Sequence, residues 1–363
     1  MKTDLFIIGG GPAGLHAASV AATYGIETMI VDESFSLGGQ LRQQTQQLRN
    51  LPKSFKTQTG TALAKQMIEK LRQLDVTKLV KHTMIGTYQD GRIGVTDGHR
   101  TIPISANKII VATGAAEEAC AFPGWTLPGV MTVGAAQILL NREYVRPGKN
   151  ALILGSNNFA LQVAKQLAEG GVNVKGIIEN KERMEGNETE TIDQLQKIGV
   201  PLYFNSTIQR AFGREKVEKV ILNHGHKALE MDVDLICIGK GLSPILEPFE
   251  ILDCHFTYEQ ALGGWLPVYS LSMQTSNPSV YVAGNAAGIT DMGAILLTAE
   301  IAAVSIAESL ECVNNADADK TRKLLWQELE QIESESFKRT FQARANVVKR
   351  FQEETDLSQV NGQ

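Results

Sequence analysis

Asp4-Leu5-Phe6-Ile7-Ile8-Gly9-Gly10-Gly11-Pro12-Ala13-Gly14 is the stretch from which the fold is read. The apolar run 4–8 has the length of a strand and ends in glycines. A small-residue helical pattern follows, from Pro12 to about Tyr24. After Gly25 a second apolar run, Thr28-Met29-Ile30-Val31, ends at Asp32-Glu33. Strand, glycine turn, helix and strand make one βαβ unit. The glycines satisfy G-x-G-x-x-G, and each has a mechanical role. Gly9 makes the tight turn, Gly11 lets backbone approach a pyrophosphate, and Gly14 lets helix pack on strand. The helix start, with Pro12 and Ala13, offers free amides and a positive dipole end to the phosphates. Asp32, with Glu33 beside it, stands where a carboxylate accepts hydrogen bonds from ribose hydroxyls. The loop alone does not decide between FAD and NAD.

Further along the chain, Leu63, Met67, Leu71 and Leu74 fall at helical spacing. Strand-like runs at 92–96, 101–105 and 107–112 read as a small meander returning to the sheet. The opening pattern then recurs. Residues 151–154 run into Gly155, a helix extends to about Glu169, and a strand at 172–178 ends in Glu179. A helix near 191–198 and strands near 201–204, 217–223 and 233–238 follow. Repetition at domain scale is strong evidence of organisation. Another buried strand, 279–283, ends in Gly284-Asn285 before a long helix from about Gly293 to Leu310. Beyond it the chain is polar, with a rough helical stripe of Leu325, Leu329, Ile332, Phe341, Ala345 and Val348. The fold class expected is α/β: two Rossmann-like, three-layer ββα dinucleotide-binding domains, the second inserted in the first. The first domain would hold 1–117 and 245–311, the second 118–244, and a helical tail 312–363.

Composition narrows the function. Of 363 residues, 43% are hydrophobic and 21% charged, which fits a globular chain with a large core. The net charge of −5 gives no basic excess to attract nucleic acid or an anionic membrane. The longest apolar run, 293–307, is broken by Glu300, so no membrane span is expected. The N-terminus passes straight into a strand without a signal-peptide pattern, so a reduced cytoplasmic compartment is expected. The 33 glycines fit nucleotide loops. The four cysteines, Cys120, Cys237, Cys254 and Cys312, share no short motif, so they supply no dithiol, zinc site or iron–sulfur run.

Three further stretches carry a family likeness. Leu37-Gly38-Gly39-Gln40-Leu41 resembles the flavin-contacting loop of the two-dinucleotide-binding-domain flavoproteins, the group that includes thioredoxin reductase. Ile109-Ile110-Val111-Ala112-Thr113-Gly114-Ala115 resembles that group's strand and turn leaving the FAD domain. Val280-Tyr281-Val282-Ala283-Gly284-Asn285 resembles its late strand, which carries a Gly-Asp pair at the ribityl chain. The resemblance spans about 5–310. It implies FAD, with Gly14 and its neighbours on the pyrophosphate, Asp32 on the adenosine ribose and Gln40 near the flavin. The helix starting near Gly293 would point its N-terminus at the flavin pyrimidine. Asn285 departs from the family's Asp, keeping an acceptor oxygen but no charge.

The second loop departs as well. Gly155-Ser156-Asn157-Asn158-Phe159-Ala160 has Asn157 in place of the middle glycine, where a side chain crowds the approach of a pyrophosphate. Asn tolerates positive φ, so the turn can survive. With Glu179 on the ribose, NAD(H) is one occupant; an adenine nucleotide alone, or none, is the alternative. A thiol relay from flavin to a cysteine pair is excluded for want of the pair.

Phe122-Pro123-Gly124-Trp125-Thr126-Leu127-Pro128-Gly129-Val130-Met131-Thr132-Val133-Gly134-Ala135-Ala136-Gln137 narrows the likeness. It resembles a stretch in the FAD/NAD-type subunits of heteromeric amine and amino-acid dehydrogenases. These include the alpha chains of sarcosine oxidase and of archaeal-type proline dehydrogenase. The corresponding A-type chain of opine oxidase and B-type chain of hydrogen cyanide synthase belong with them. The resemblance implies a hetero-oligomer in which a partner flavoprotein oxidises an amine or amino acid. Many members carry a C-terminal cysteine cluster for a [2Fe-2S] centre, whereas here the tail has only Cys312, so an iron–sulfur centre would belong to a separate polypeptide or be absent.

Three functions follow as expectations. The first is such a dehydrogenase or oxidase subunit, the second a stand-alone NAD(P)H-dependent flavin or ferredoxin-type reductase, and the third a non-catalytic assembly subunit. No catalytic acid or base is legible. His224-Gly225-His226 reads as a hairpin turn rather than a metal site, and His16 as a helix-packing histidine.

Overall fold

The computed structural model describes every residue except His226, Phe337, Gly362 and Gln363. The chain divides into two compact units, Met1–Ala116 with Ser243–Gln363, and Glu117–Leu242.

The first unit is built on β1 (Lys2–Ile8), α1 (Pro12–Thr23) and β2 (Thr28–Asp32). β1 lies parallel to β2 on one side and to the strand Thr101–Val111 on the other. Val76–Val80 extends the parallel sheet beyond β2, and Val280–Val282 pairs with Ile109–Val111. The strand Thr101–Val111 is continuous where the sequence suggested two. Its first half pairs antiparallel with Ile93–Thr96, which pairs with Thr83–Thr87. Its second half belongs to the parallel sheet. One strand therefore serves two sheets, and that makes the three-layer form.

The helix α1 and a later helix of this unit, Met292–Ser309, are both apolar nearly all round, the pattern of elements buried on every side. Met292–Ser309 is long and apolar enough to cross a membrane by length and composition, contrary to the expectation from Glu300, and 78% of it is buried inside the unit. Its Glu300 points to His16 of α1, Oε2 to Nε2 2.9 Å, and Phe55 meets the His16 ring edge-on.

The second unit repeats the plan with β3 (Asn150–Leu154), α2 (Asn158–Glu169) and β4 (Asn173–Ile178). Its parallel sheet runs Leu202–Tyr203, β4, β3, Leu235–Ile238, Val130–Thr132. A three-stranded antiparallel sheet of Ser206–Phe212, Lys219–His224 and Lys227–Asp232 covers one face. Strand alternation makes the layers. Ala151, Ile153, Leu235 and Cys237 join the helices in one core, while Leu152, Leu154, Ile236 and Ile238 join the antiparallel sheet in another. A parallel sheet covered on both faces reads as an unbroken apolar run. Burial pushes the Cys237 thiol well above its ordinary value.

The C-terminal stretch, read from the sequence as a tail of its own, falls in the first unit. Met292–Ser309 is termed α3, and α4 (Asn315–Ser336) and α5 (Lys338–Asn361) follow it. Leu325, Leu329, Ile332 and Val348 are buried in the same core as β1. Phe341 is half-buried and Ala345 exposed, and Ala343 and Val347 complete the buried stripe instead. The stripe thus covers the chain's own core rather than standing free.

Candidate functional site

The residues expected at a cofactor converge on the first turn of α1. A Cβ added at Gly9 would fall 2.4 Å from the Ala112 carbonyl oxygen and 3.0 Å from Thr113 N, which sets the 112–114 turn beside the loop. A Cβ at Gly14 would meet the Gly9 carbonyl oxygen at 1.9 Å, so helix and strand touch there. A Cβ at Gly39 would lie 2.8 Å from Gly11 Cα, and one at Gly284 would lie 2.7 Å from the Ala13 methyl. Gly38 N–H donates to the Gly10 carbonyl (2.8 Å), and Gly284 N–H to Thr298 Oγ1 of α3 (3.0 Å). Segments far apart in sequence thus meet at Gly9–Gly14.

Asp32 holds the loop itself. Its Oδ2 accepts from Gly10 N (2.6 Å) and its Oδ1 from Ser34 N (2.8 Å), while Glu33 is exposed beside it. Gln40 is exposed and accepts a bond from Gln43 Nε2. Gly114 has open space around it. Asn285 Oδ1 takes Thr290 N at 3.2 Å, so the side chain retains one lone pair and two N–H donors.

Two observations match this arrangement to a dinucleotide. The N-cap of α1, Gly11, has no side chain to cap the helix, and a Cβ added there would find nothing nearer than Gly39 Cα at 4.0 Å. The amides at the helix start thus face an open cradle suited to an anion. Thr113 Oγ1 is buried without a hydrogen-bond partner, a polar atom awaiting one.

The second loop has the same outline but no such opening. A Cβ at Gly155 would meet the Gly239 carbonyl oxygen at 2.1 Å, as Gly9 meets Ala112. Gly186 N–H donates to the Ser156 carbonyl (2.8 Å), as Gly38 donates to Gly10. Glu179 is 2% exposed; its Oε2 accepts from Ser156 Oγ (2.7 Å) and its Oε1 from Lys181 N (3.2 Å). Asn157 has φ −68°, so the positive φ that the sequence allowed for is not adopted. It is the N-cap of α2, its side chain accepting from Ala160 N.

Residues 3–317 match the pyridine nucleotide-disulphide oxidoreductase family. The chain belongs to that family. The A-type chain of opine oxidase from Rhizobium meliloti (strain 1021) is 26% identical over 327 residues, covering 85% of this chain and 71% of that protein. The HcnB chain of hydrogen cyanide synthase from Pseudomonas aeruginosa is 27% identical over 359 residues, covering 90% and 75%. The alpha chain of sarcosine oxidase from Rhizobium meliloti (strain 1021) is 28% identical over 313 residues, covering 81% of this chain and only 29% of that protein. Among solved structures, T. acidophilum thioredoxin reductase superposes with TM-score 0.70 at 20% identity, covering 85% of this chain and 99% of that one. L-proline dehydrogenase from P. horikoshii superposes with TM-score 0.69 at 21% identity, covering 91% of this chain and 59% of that one. These likenesses fix the fold, and the family makes the chain an oxidoreductase of the flavoprotein type.

For a member of the pyridine nucleotide-disulphide oxidoreductases, the cysteines stand out. All four are free; Cys237 and Cys254 are buried, and burial raises the thiol pKa of both. Among the described residues no group of three or more His, Cys, Asp and Glu is placed to hold a metal. His224 Nδ1 pairs with Ser206 Oγ (2.8 Å), and the His226 of the expected hairpin lies outside the described residues.

Sequence reasoning missed a buried polar cluster behind the 284–291 loop. Arg344 of α5 donates through Nη2 to Glu333 Oε1 (2.7 Å), and through Nη1 to Tyr269 Oη (2.8 Å) and the Ala287 carbonyl (3.0 Å). Thr290 Oγ1 donates to the same Glu333 oxygen (2.8 Å). Both charged side chains are almost wholly buried, at 0% and 1% exposed. Burial works against the Arg344 charge, but Glu333 and Tyr269 outweigh it and hold its pKa above the ordinary value. Burial pushes the Tyr269 hydroxyl up to about 12. An Arg and a Glu eleven positions apart on a polar stretch resemble any surface pair, so the sequence carried no signal of this cluster.

Proposed function

We propose that this chain is the FAD-holding component of a heteromeric amine or amino-acid dehydrogenase or oxidase, acting in the cytoplasm. In this reading a partner flavoprotein oxidises the substrate, and electrons leave this chain to an acceptor outside it. The observation that carries the reading is the uncapped α1 start facing Gly39 in a chain whose four cysteines form no pair. The named relatives from opine oxidase and hydrogen cyanide synthase are themselves subunits, which supports a hetero-oligomer.

Bound FAD would supply reversible electron and hydride chemistry. The chain's residues do the holding. Gly9, Gly11, Pro12, Ala13 and Gly14 cradle the pyrophosphate. Asp32 fixes the loop, and with Glu33 it meets the adenosine ribose. Gly39, Gln40, Thr113 and Gly114 border the cofactor, with Thr113 Oγ1 gaining the partner it lacks. Gly284 and Asn285 approach the ribityl chain, the amide offering donors where the family's acid accepts. The N-terminus of α3 would favour negative charge on a flavin bound near it.

The test is spectroscopic. The chain is purified alone and with co-expressed partner proteins, and flavin absorbance is followed anaerobically. We expect flavin in the isolated chain, bleaching only when partner and amine are both present. Absence of flavin, or fast bleaching of the isolated chain by NADH, would sink the proposal. Thr113→Val should leave the flavin-free protein as stable, since no bond is lost, and weaken FAD binding by about 1 kcal/mol, roughly five-fold.

A further inference from the structure

Gly11 and Asn157 occupy the same position in two copies of one design. Gly11 has φ −75° and ψ −170°, and Asn157 has φ −68° and ψ 166°, both extended. Backbone conformation therefore does not separate the two loops; the side chains do.

Asn157 Oδ1 accepts from Ala160 N at 2.9 Å, and Asn157 Nδ2 donates to the Gly239 carbonyl at 2.8 Å. A backbone donor on one side and a backbone acceptor on the other fix which end of the amide is oxygen. The side chain thus bridges the start of α2 to the residue after the strand Leu235–Ile238. In an open α/β sheet that is the crevice at the carboxyl ends of the strands, where a dinucleotide lies. Next to it, Asn158 Oδ1 accepts from Asn187 N (2.8 Å) and Glu188 N (3.3 Å), while Asn158 Nδ2 donates to Asn187 Oδ1 (2.9 Å). This clasp brings residues 186–188 onto the helix start, and a Cβ at Gly186 would fall 2.8 Å from Asn158 Oδ1. A dinucleotide needs helix-start amides, a bare backbone approach and a carboxylate for its ribose. Here Asn157 takes an amide and the two asparagines fill the approach.

We propose that Asn157 and Asn158 close the second glycine loop to nicotinamide dinucleotides. Asn157 Oδ1 stands in for a phosphate oxygen: it accepts from Ala160 N and places partial negative charge where the anion would lie. NADH and NADPH then deliver no electrons through this loop, whatever the first loop holds.

The experiment titrates the purified full-length chain with NAD+ and with NADH, anaerobically, by calorimetry. The wild type should show no saturable binding up to about 1 mM. The double variant Asn157→Gly/Asn158→Ala should gain saturable binding, at least ten-fold tighter than the wild-type limit. Glycine is well tolerated at an N-cap, so α2 should persist, and far-ultraviolet circular dichroism checks it. Saturable micromolar binding by wild type already saturated with FAD would overturn the proposal, and that arm needs no variant. A folded double variant that still binds neither dinucleotide would overturn it too. Flavin absorbance is recorded on the same samples. A chain without flavin that also rejects NADH would count against the reading of the first loop and support this one.

Discussion

Gly11 and Gly14 belong to one motif, yet their surroundings ask different things of them. A side chain at Gly14 would drive into the Gly9 carbonyl at 1.9 Å, whereas one at Gly11 would enter open space. Gly14→Val should therefore destabilise the protein by about 1–3 kcal/mol through overpacking. Gly11→Val should cost no more than roughly 1 kcal/mol and yet lose flavin. Urea unfolding and the visible spectrum measure the two effects; equal destabilisation by both substitutions would show that the Gly11 cradle is not a ligand space. The turn at Gly9 and the close packing at Gly14 were legible because each follows from steric reach along a known turn. The crowding by Asn157 was legible too, but its bonds to Ala160 N and the Gly239 carbonyl were not, because a sequence shows that a glycine is missing but not where the new side chain points. Asp32 is similar: its place at a strand end is visible in the sequence, but its bond to Gly10 N is not.

Among the elements, the buried cluster of α4 and α5 invites the sharpest test. Arg344→Met leaves the Glu333 carboxylate buried without its partner, and about 3–5 kcal/mol of stability should go. Arg344→Met/Glu333→Met should recover much of it, because the stranded charge is removed as well. Chemical denaturation of the three proteins decides; a double variant no better than the single would show that the pair stabilises by more than charge compensation. Elements with strict patterns were readable, β1, α1, β3 and α2 among them. Val76–Val80 escaped because it is an edge strand with Thr77 and Lys78 exposed, so it lacks a buried run. Ser206–Phe212 escaped because a register shift between Ile208 and Arg210 breaks its alternation. Thr101–Val111 was split because its two halves answer to different sheets, and no single period describes both.

At the scale of the molecule, the two units give a thermal experiment. FAD added to flavin-stripped protein should raise the melting of the unit carrying Gly9–Gly14 and leave the other transition in place. At a hundred-fold excess over the dissociation constant the gain is about 2.7 kcal/mol. Differential scanning calorimetry with and without FAD measures it, and a shift confined to the other transition would place the cofactor in the wrong unit. The repeat of the βαβ pattern was plain in the sequence. The membership of α4 and α5 in the first unit was not, since amphipathic spacing shows that a face is covered without showing what covers it.

The discontinuity of the first unit also sets a timetable. Gly14 leaves the ribosome long before Gly284, which packs against Ala13, and Arg344 follows later still. At roughly 5–20 residues per second, tens of seconds separate the two walls of the cradle during translation. Throughout that interval the parallel sheet lacks Val280–Val282 and the inserted unit is being made in full. The two walls of the cradle thereby meet only late in synthesis, and a nascent chain halted before α5 emerges would hold the Gly9–Gly14 loop without the Arg344 anchor on Ala287.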